Sequence, residues 1–233
     1  MTLNQLKMAF YSIVITNYYG FKLKNAKSRE EKKRVRVEYA QKILSRLNIQ
    51  IEVINKERIP HDGQYLLISN HRTIIDPLIV EIATKNSKIF GHWISKKELY
   101  NSLFFGIFVR NGGSVLLDRD ASQMSGFFND VKECVKGGNS IYMFPEGTRN
   151  KSDAPISQFK EGAQIIAKKN RLPILPVFIH ARADTTLMSA IKNSSQKRTI
   201  SIEIGDIIDY KNREFSIQKS FEKQFDIRDS KAE

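Results

Sequence analysis

The sequence predicts an α/β domain with a mixed, partly parallel sheet flanked by helices, preceded by an N-terminal membrane-associating helical pair. Two observations carry that reading. From residue 51 onward, short apolar runs alternate with amphipathic stretches, the texture of strands alternating with helices. Before residue 50 there is instead an uncharged, aromatic-rich segment followed at once by a dense run of basic residues. The chain has 233 residues, 41% hydrophobic and 27% charged, so one substantial core is within reach.

Residues 8–21, MAFYSIVITNYYGF, hold no charge and lie between Lys7 and Lys22. As a helix they span about 21 Å, short of a bilayer core of about 30 Å. Phe10, Tyr11, Tyr18, Tyr19 and Phe21 suit a headgroup interface. The segment reads as an interfacial or re-entrant anchor, or alternatively as a buried core helix.

Residues 22–46 carry ten Lys and Arg against Glu30, Glu31 and Glu38, over half of the net charge of +13. Ser28-Arg-Glu-Glu31 reads as a capping box that opens a helix. Tyr39, Ala40, Ile43, Leu44 and Leu47 form its apolar stripe, with the cations on the other side. Such a surplus asks for an acidic partner, and charge alone leaves nucleic acid, anionic lipid and plain solubility open. The adjacent uncharged segment favours a membrane surface.

Strands are expected over 51–54, 65–69, 88–94, 114–118, 140–144, 174–179 and 199–204. Helices are expected over 77–84, 98–108, 121–136 and 162–169. Residues 211–233 are polar and read as a loose or helical tail. Three regions follow: 1–49 interfacial and basic, 50–210 a folded domain, and 211–233 the tail. Cys134 is the lone cysteine, which excludes an internal disulfide framework and a cysteine-rich zinc site. No secretory signal pattern is present, so a cytoplasm-facing protein is expected.

Four segments can carry chemistry. Ser69-Asn-His-Arg-Thr-Ile-Ile-Asp-Pro77 follows an expected strand. His71 and Asp76 meet only if His71 lies in the strand-to-helix loop and Asp76 in the first helical turn, which Pro77 favours. Asp76 would then fix the tautomer of His71 and leave the other ring nitrogen as a base. Spacing alone favours the plainer alternative, a helix cap beside a turn histidine.

The second segment, Tyr142-Met-Phe-Pro-Glu-Gly-Thr-Arg149, ends another strand. Gly147 allows close backbone approach, Thr148 offers a hydroxyl, and Arg149 a planar fork for phosphate oxygens. Glu146 can orient the arginine or bind a ligand hydroxyl. In isolation the segment slightly favours an ordinary β-turn with an exposed charge pair. The third, residues 95–119, supplies Lys96, Lys97, Arg110 and Arg119, a charge set that is usually solvated surface. The fourth, Leu172-Pro-Ile-Leu-Pro-Val-Phe178, puts two prolines in an apolar strand, the mark of a sheet edge or of a strand beside a cleft.

In order and spacing these segments resemble the glycerolipid acyltransferase family, typified by 1-acylglycerol-3-phosphate acyltransferases. The matching residues are Asn70-His71 with Asp76; Lys96-Lys97-Glu98-Leu99 with Gly113 and Asp118-Arg119; Phe144 to Arg149; and Leu172 to Val177. Phe159-Lys-Glu-Gly-Ala163 also matches. The resemblance covers about residues 50–205. Ser102-Leu103 stands where the family often has a proline before Phe-Phe-Gly, so the second block aligns least well.

The resemblance implies transfer of a fatty acyl group from a thioester to the free hydroxyl of 1-acylglycerol-3-phosphate, giving phosphatidate. His71 and Asp76 would be catalytic. Glu146, Gly147, Thr148, Arg149, Lys96 and Arg119 would bind substrate. No metal and no resident cofactor are implied; acyl-CoA or acyl carrier protein would be the co-substrate. The partners would be a membrane surface with anionic lipid and the lysolipid, not nucleic acid, at the cytoplasmic face of the inner membrane. The same chemistry on another lysolipid acceptor, a lysophospholipid or an acylated amino-acid lipid, is the alternative. A lipid hydrolase would call for a Gly-x-Ser-x-Gly elbow, which the sequence lacks.

Overall fold

The structure is a computed structural model, and it describes residues 3–118, 124–180, 182–211 and 216–227. The seven strands are β1 (Ile49–Ile54), β2 (Leu66–Ser69), β3 (Gly91–Lys96), β4 (Ser114–Leu117), β5 (Ser140–Met143), β6 (Ile174–Ile179) and β7 (Arg198–Ile204). They form one sheet in the order β1-β7-β6-β2-β5-β3-β4. Every neighbouring pair is parallel except β6 with β7. The sheet is therefore mixed and mostly parallel, as the sequence predicts.

The helices are α1 (Leu3–Asn25), α2 (Arg29–Arg46), α3 (Asp76–Ala83), α4 (Lys97–Tyr100), α5 (Gly106–Asn111), α6 (Met124–Lys136), α7 (Gly162–Asn170), α8 (Ala183–Lys192) and α9 (Ile217–Gln224). They cover both faces of the sheet. In β2 successive side chains go to opposite layers: Leu67 joins the core under α2 and α3, while Leu66 and Ile68 join the core under α6 and α7. All three are fully buried, which explains why the strand reads as a continuous apolar run rather than an alternating one.

Several expectations shift once the pieces pack. β3 begins at Gly91, not at 88, because its ladder with β5 starts at Gly91 opposite Ser140. The helix expected over 98–108 is split into α4 and α5. Ser102 Oγ accepts from the N–H groups of Phe104 and Phe105, and Gly106 lies against the Tyr100 carbonyl, where a Cβ would stand at 2.7 Å. α8 has no counterpart among the helices the sequence predicts. In the polar tail, α9 buries Ile217 and Phe221 in the second core, followed by Phe225.

The proline-bearing strand is not an edge. β6 sits between β7 and β2. Pro173 precedes it, and the Pro176 carbonyl accepts from Gly205 N–H, just beyond the end of the β6–β7 ladder at Ile204. Pro176 keeps its carbonyl in this bond and lacks only the reciprocal donor, so the loss falls just past the end of the ladder.

α1 and α2 pack as a pair, and α1 has two faces. Thr16, Tyr19 and Leu23 are buried, and the Thr16 hydroxyl bonds the Tyr39 hydroxyl at 2.8 Å. Gly20 lets α1 approach α5: a Cβ there would lie 2.8 Å from Phe108 N. Leu6, Phe10, Ile13, Val14, Tyr18 and Phe21 are exposed on the other side. The segment is thus both core helix and open apolar face. Among the described residues no helix is long and apolar enough to cross a membrane.

Ser28 caps α2 as expected, accepting from Glu31 N–H, while Glu31 accepts from Lys27 N–H. The cationic side of α2 is not all solvated. Arg36 is buried, pairs with Glu81 of α3 and donates to the carbonyls of Gly91 and Gly112. Lys33 donates to the carbonyls of Ser87 and Ile89. Burial lowers the Lys33 ammonium to about 8, with Glu81 opposing. Arg29 donates likewise to the Gly138 carbonyl at 2.7 Å, so three of the basic residues bolt α2 to the domain.

Candidate active site

β2, β5 and β3 are parallel neighbours, so the loops at their C-terminal ends lie side by side. In an open α/β sheet that rim is where ligands bind. Asn70 closes β2 by gripping β6: its side chain donates to the Ile179 carbonyl at 3.0 Å and accepts from Ile179 N–H at 2.8 Å. His71 follows in the loop, and α3 starts at Asp76 with Pro77 in its first turn.

That arrangement brings the two candidates together. His71 Nδ1 lies 2.8 Å from Asp76 Oδ2. The same oxygen accepts from Arg72 N–H at 2.6 Å and Thr73 N–H at 2.8 Å. Asp76 is 1% exposed on its side chain and His71 18%. The carboxylate is therefore sunk in the loop as an acceptor while the imidazole reaches the surface. With Nδ1 committed, Nε2 is the nitrogen left to take a proton.

The Phe144-to-Arg149 segment divides into an inner and an outer part. Glu146 is 1% exposed and both its oxygens are taken. Oε1 accepts from His71 N–H at 2.6 Å; Oε2 accepts from Ser157 N–H at 2.9 Å and from the Ser157 hydroxyl. Burial pushes this carboxyl up, and the bonds from Ser157 and His71 work against that. Glu146 thus brackets the His71 loop to the Ser157 loop with both of its oxygens engaged. Asn150 N–H donates to the His71 carbonyl at 2.7 Å. The histidine is thus held by its backbone on both sides, and only Gly147, Thr148 and Arg149 are exposed. Gly147 has φ +71°, the left-handed geometry that lets the turn protrude.

Lys96 is exposed at the C-terminal end of β3, on the same rim. Lys97 pairs with Asp118 at 2.8 Å. Arg119 lies outside the described residues. Nothing in the sequence pointed to Ser157 or Asn150; their roles arise from loop closure, which leaves no periodic signal. Phe144 was in view only as part of a motif, yet its ring stacks on the His71 imidazole, with centroids 4.0 Å apart and planes 10° apart. Cys134 is remote in the chain, on α6, and burial pushes its thiol up to about 12, which keeps it protonated. Among the described residues no group of three or more His, Cys, Asp and Glu is placed to hold a metal ion.

Residues 50–180 match the acyltransferase family model. The chain belongs to the acyltransferase family. It is 34% identical over 124 residues to the 1-acyl-sn-glycerol-3-phosphate acyltransferase of Streptococcus pneumoniae, covering 53% of this chain and 44% of that protein. The protein of the same name from Helicobacter pylori is 31% identical over 170 residues, covering 72% of this chain and 65% of the relative. That of Bacillus subtilis is 28% identical over 137 residues, covering 59% and 66%. The chain spans roughly half to two thirds of the length of these relatives. In three dimensions it resembles the crystal structure of the 1-acyl-sn-glycerophosphate (LPA) acyltransferase of Thermotoga maritima, with a TM-score of 0.70 at 22% identity, over 97% of this chain and 91% of that one.

Proposed function

We propose that this acyltransferase-family protein transfers a fatty acyl group from an acyl thioester to the free hydroxyl of 1-acylglycerol-3-phosphate. The observation that carries the reading is the 2.8 Å contact between His71 Nδ1 and Asp76, beside the exposed Gly147-Thr148-Arg149 turn on an adjacent strand end. The acceptor hydroxyl gives its proton to Nε2 of His71 while its oxygen attacks the thioester carbonyl carbon. The C–O bond forms, the C–S bond breaks, and the imidazolium returns the proton to the departing thiolate. Asp76 holds the tautomer and stabilises the transient imidazolium. General-base help of this kind contributes about 10²–10⁴-fold. Arg149 and Lys96, with Arg119, take the phosphate of the acceptor, Arg149 through its bidentate fork. The names of the relatives support this acceptor.

The protein docks on anionic lipid at the cytoplasmic face of the inner membrane as a peripheral or monotopic protein. The exposed apolar face of α1 and the exposed Arg34, Lys42 and Arg46 of α2 support this. The donor is acyl-CoA or acyl carrier protein. The test is to incubate the purified chain with labelled acyl-CoA and with acyl carrier protein, offer a panel of lysolipids, and identify the products. Labelled phosphatidate from lysophosphatidate is the expected result. Acylation of another lysolipid in its place overturns the acceptor, and thioester hydrolysis alone overturns acyl transfer.

A further inference from the structure

The hydrogen bond to Asp76 fixes one edge of the His71 ring but not its plane. The second side-chain torsion of histidine is broad, so a single in-plane bond leaves the ring free to tilt. The structure supplies the missing constraint. Phe144 lies face to face with the imidazole, 4.0 Å between centroids and 10° between planes, the geometry of a stacked aromatic pair.

Phe144 does not stand alone. β5 lies between β2 and β3, so the residue that follows it is flanked by His71 on the β2 side and by Trp93 on the β3 side. The Trp93 indole stacks on Phe144 at 5.1 Å and 25°, and meets Tyr142 edge-on at 5.3 Å. The indole is fastened in turn, because Trp93 Nε1–H donates to Glu81 Oε1 at 2.9 Å. Glu81 is buried and held by the Arg36 guanidinium. A row of rings thus runs from a buried ion pair to the imidazole, with each ring held by its neighbour or by a hydrogen bond.

We propose that Phe144 is a positioning residue for acyl transfer: its ring, backed by Trp93, sets the plane of the His71 imidazole so that Nε2 faces the acceptor hydroxyl. The inference rests on the reading of His71 as the base. Phe144 need not touch substrate for this. Its action is on orientation, and a base misplaced by about 1 Å can cost about 10²-fold in rate. Plain core packing would make any apolar side chain of similar volume sufficient; a positioning role demands a flat ring.

Two measurements on the full chain decide it. The first compares Phe144→Leu with Phe144→Tyr. The leucine variant should lose about 10–100-fold in kcat with the KM values of acceptor and thioester unchanged, and the tyrosine variant should recover most of that loss. The second reads the stack directly in protein carrying labelled histidine, with the His71 resonances assigned by their absence in His71→Ala. The His71 ring protons should be shielded, shifted upfield by the phenyl ring current, and Phe144→Leu should remove the shift. Equal kcat in the leucine variant and the wild type, or a rise in KM at constant kcat, overturns the proposal. So does an unshielded His71 ring in the wild type, a result that needs no variant to fold. If the wild type transfers no acyl group to any acceptor, the proposed function fails, and the ring-current measurement still decides whether the stack exists.

Discussion

Glu146 and His71 are joined side chain to backbone: the Glu146 carboxylate accepts the His71 N–H at 2.6 Å, while its other oxygen holds Ser157. The residue that the motif offers as a ligand for substrate is in this fold the clamp under the proposed base. Replacing it tests the loop more than the pocket. Glu146→Gln keeps one acceptor for His71 but turns an NH2 group towards the Ser157 N–H and hydroxyl. The expected loss is about 1–3 kcal/mol of stability. kcat should fall and KM for the acceptor stay near the wild-type value, as read by denaturant unfolding and steady-state kinetics. A selective rise in acceptor KM would return Glu146 to the substrate-binding set.

His71→Ala should remove turnover by about 10²–10⁴-fold with the fold retained, since the imidazole is a partly exposed loop group. Asp76→Asn should cut the rate comparably by presenting the wrong tautomer. It should also cost stability, because Asp76 additionally accepts two backbone N–H groups from the loop. Turnover of the alanine variant at the wild-type rate would dismiss His71 as the base.

Arg149 is exposed, so Arg149→Lys should leave the melting temperature unchanged. Lysine lacks the planar fork, and KM for the phosphate-bearing acceptor should rise. Kinetics with both substrates varied checks this. A change confined to the thioester KM would assign Arg149 to the donor.

His92 gives the fold an acid sensitivity. Burial, with Arg36 and Lys32 nearby, lowers its imidazole to about 4 from 6.5. Below pH 6.5 the unfolded chain takes up a proton that the folded chain refuses until about pH 4. The unfolded state therefore binds more protons in that window, and stability falls as pH drops through it, by up to about 3 kcal/mol. Urea unfolding between pH 7 and 4 should show a shallower decline for His92→Gln than for the wild type. Parallel curves would remove His92 from the account.

The outer face of α1 predicts a two-part membrane affinity. Sedimentation with anionic vesicles should weaken as salt rises, because the Debye length shrinks from about 10 Å at 0.1 M to about 3 Å at 1 M. An apolar remainder should persist. Phe10 and Phe21 are 72% and 54% exposed, so Phe10→Ser with Phe21→Ser should abolish the remainder without unfolding the helix. Deleting the helix instead would uncover Tyr39 and its neighbours and confuse anchor with core. Equal sedimentation of wild type and double variant at high salt would show that this face does not enter lipid.

The sequence by itself determined the class of the fold and the seven strands, and its motifs named His71 and Asp76 as candidates. Those are local properties. Apolar runs and breaks mark strands, and the five-residue spacing with Pro77 allows both side chains onto one strand-to-helix turn, where the fold then joins them. Tertiary structure decided the rest, because the remaining partners are far apart in sequence. Glu146 became a clamp, Phe144 a wall and Arg36 a buried strut only when β2, β5 and β3 came side by side and α2 closed over them. β6 became central because β7 returns antiparallel against it, and no run of six residues records which strand will lie on either flank. Spacing along the chain encodes what a turn or helix can bring together; contacts that close loops of dozens of residues are set by which faces must be buried at once.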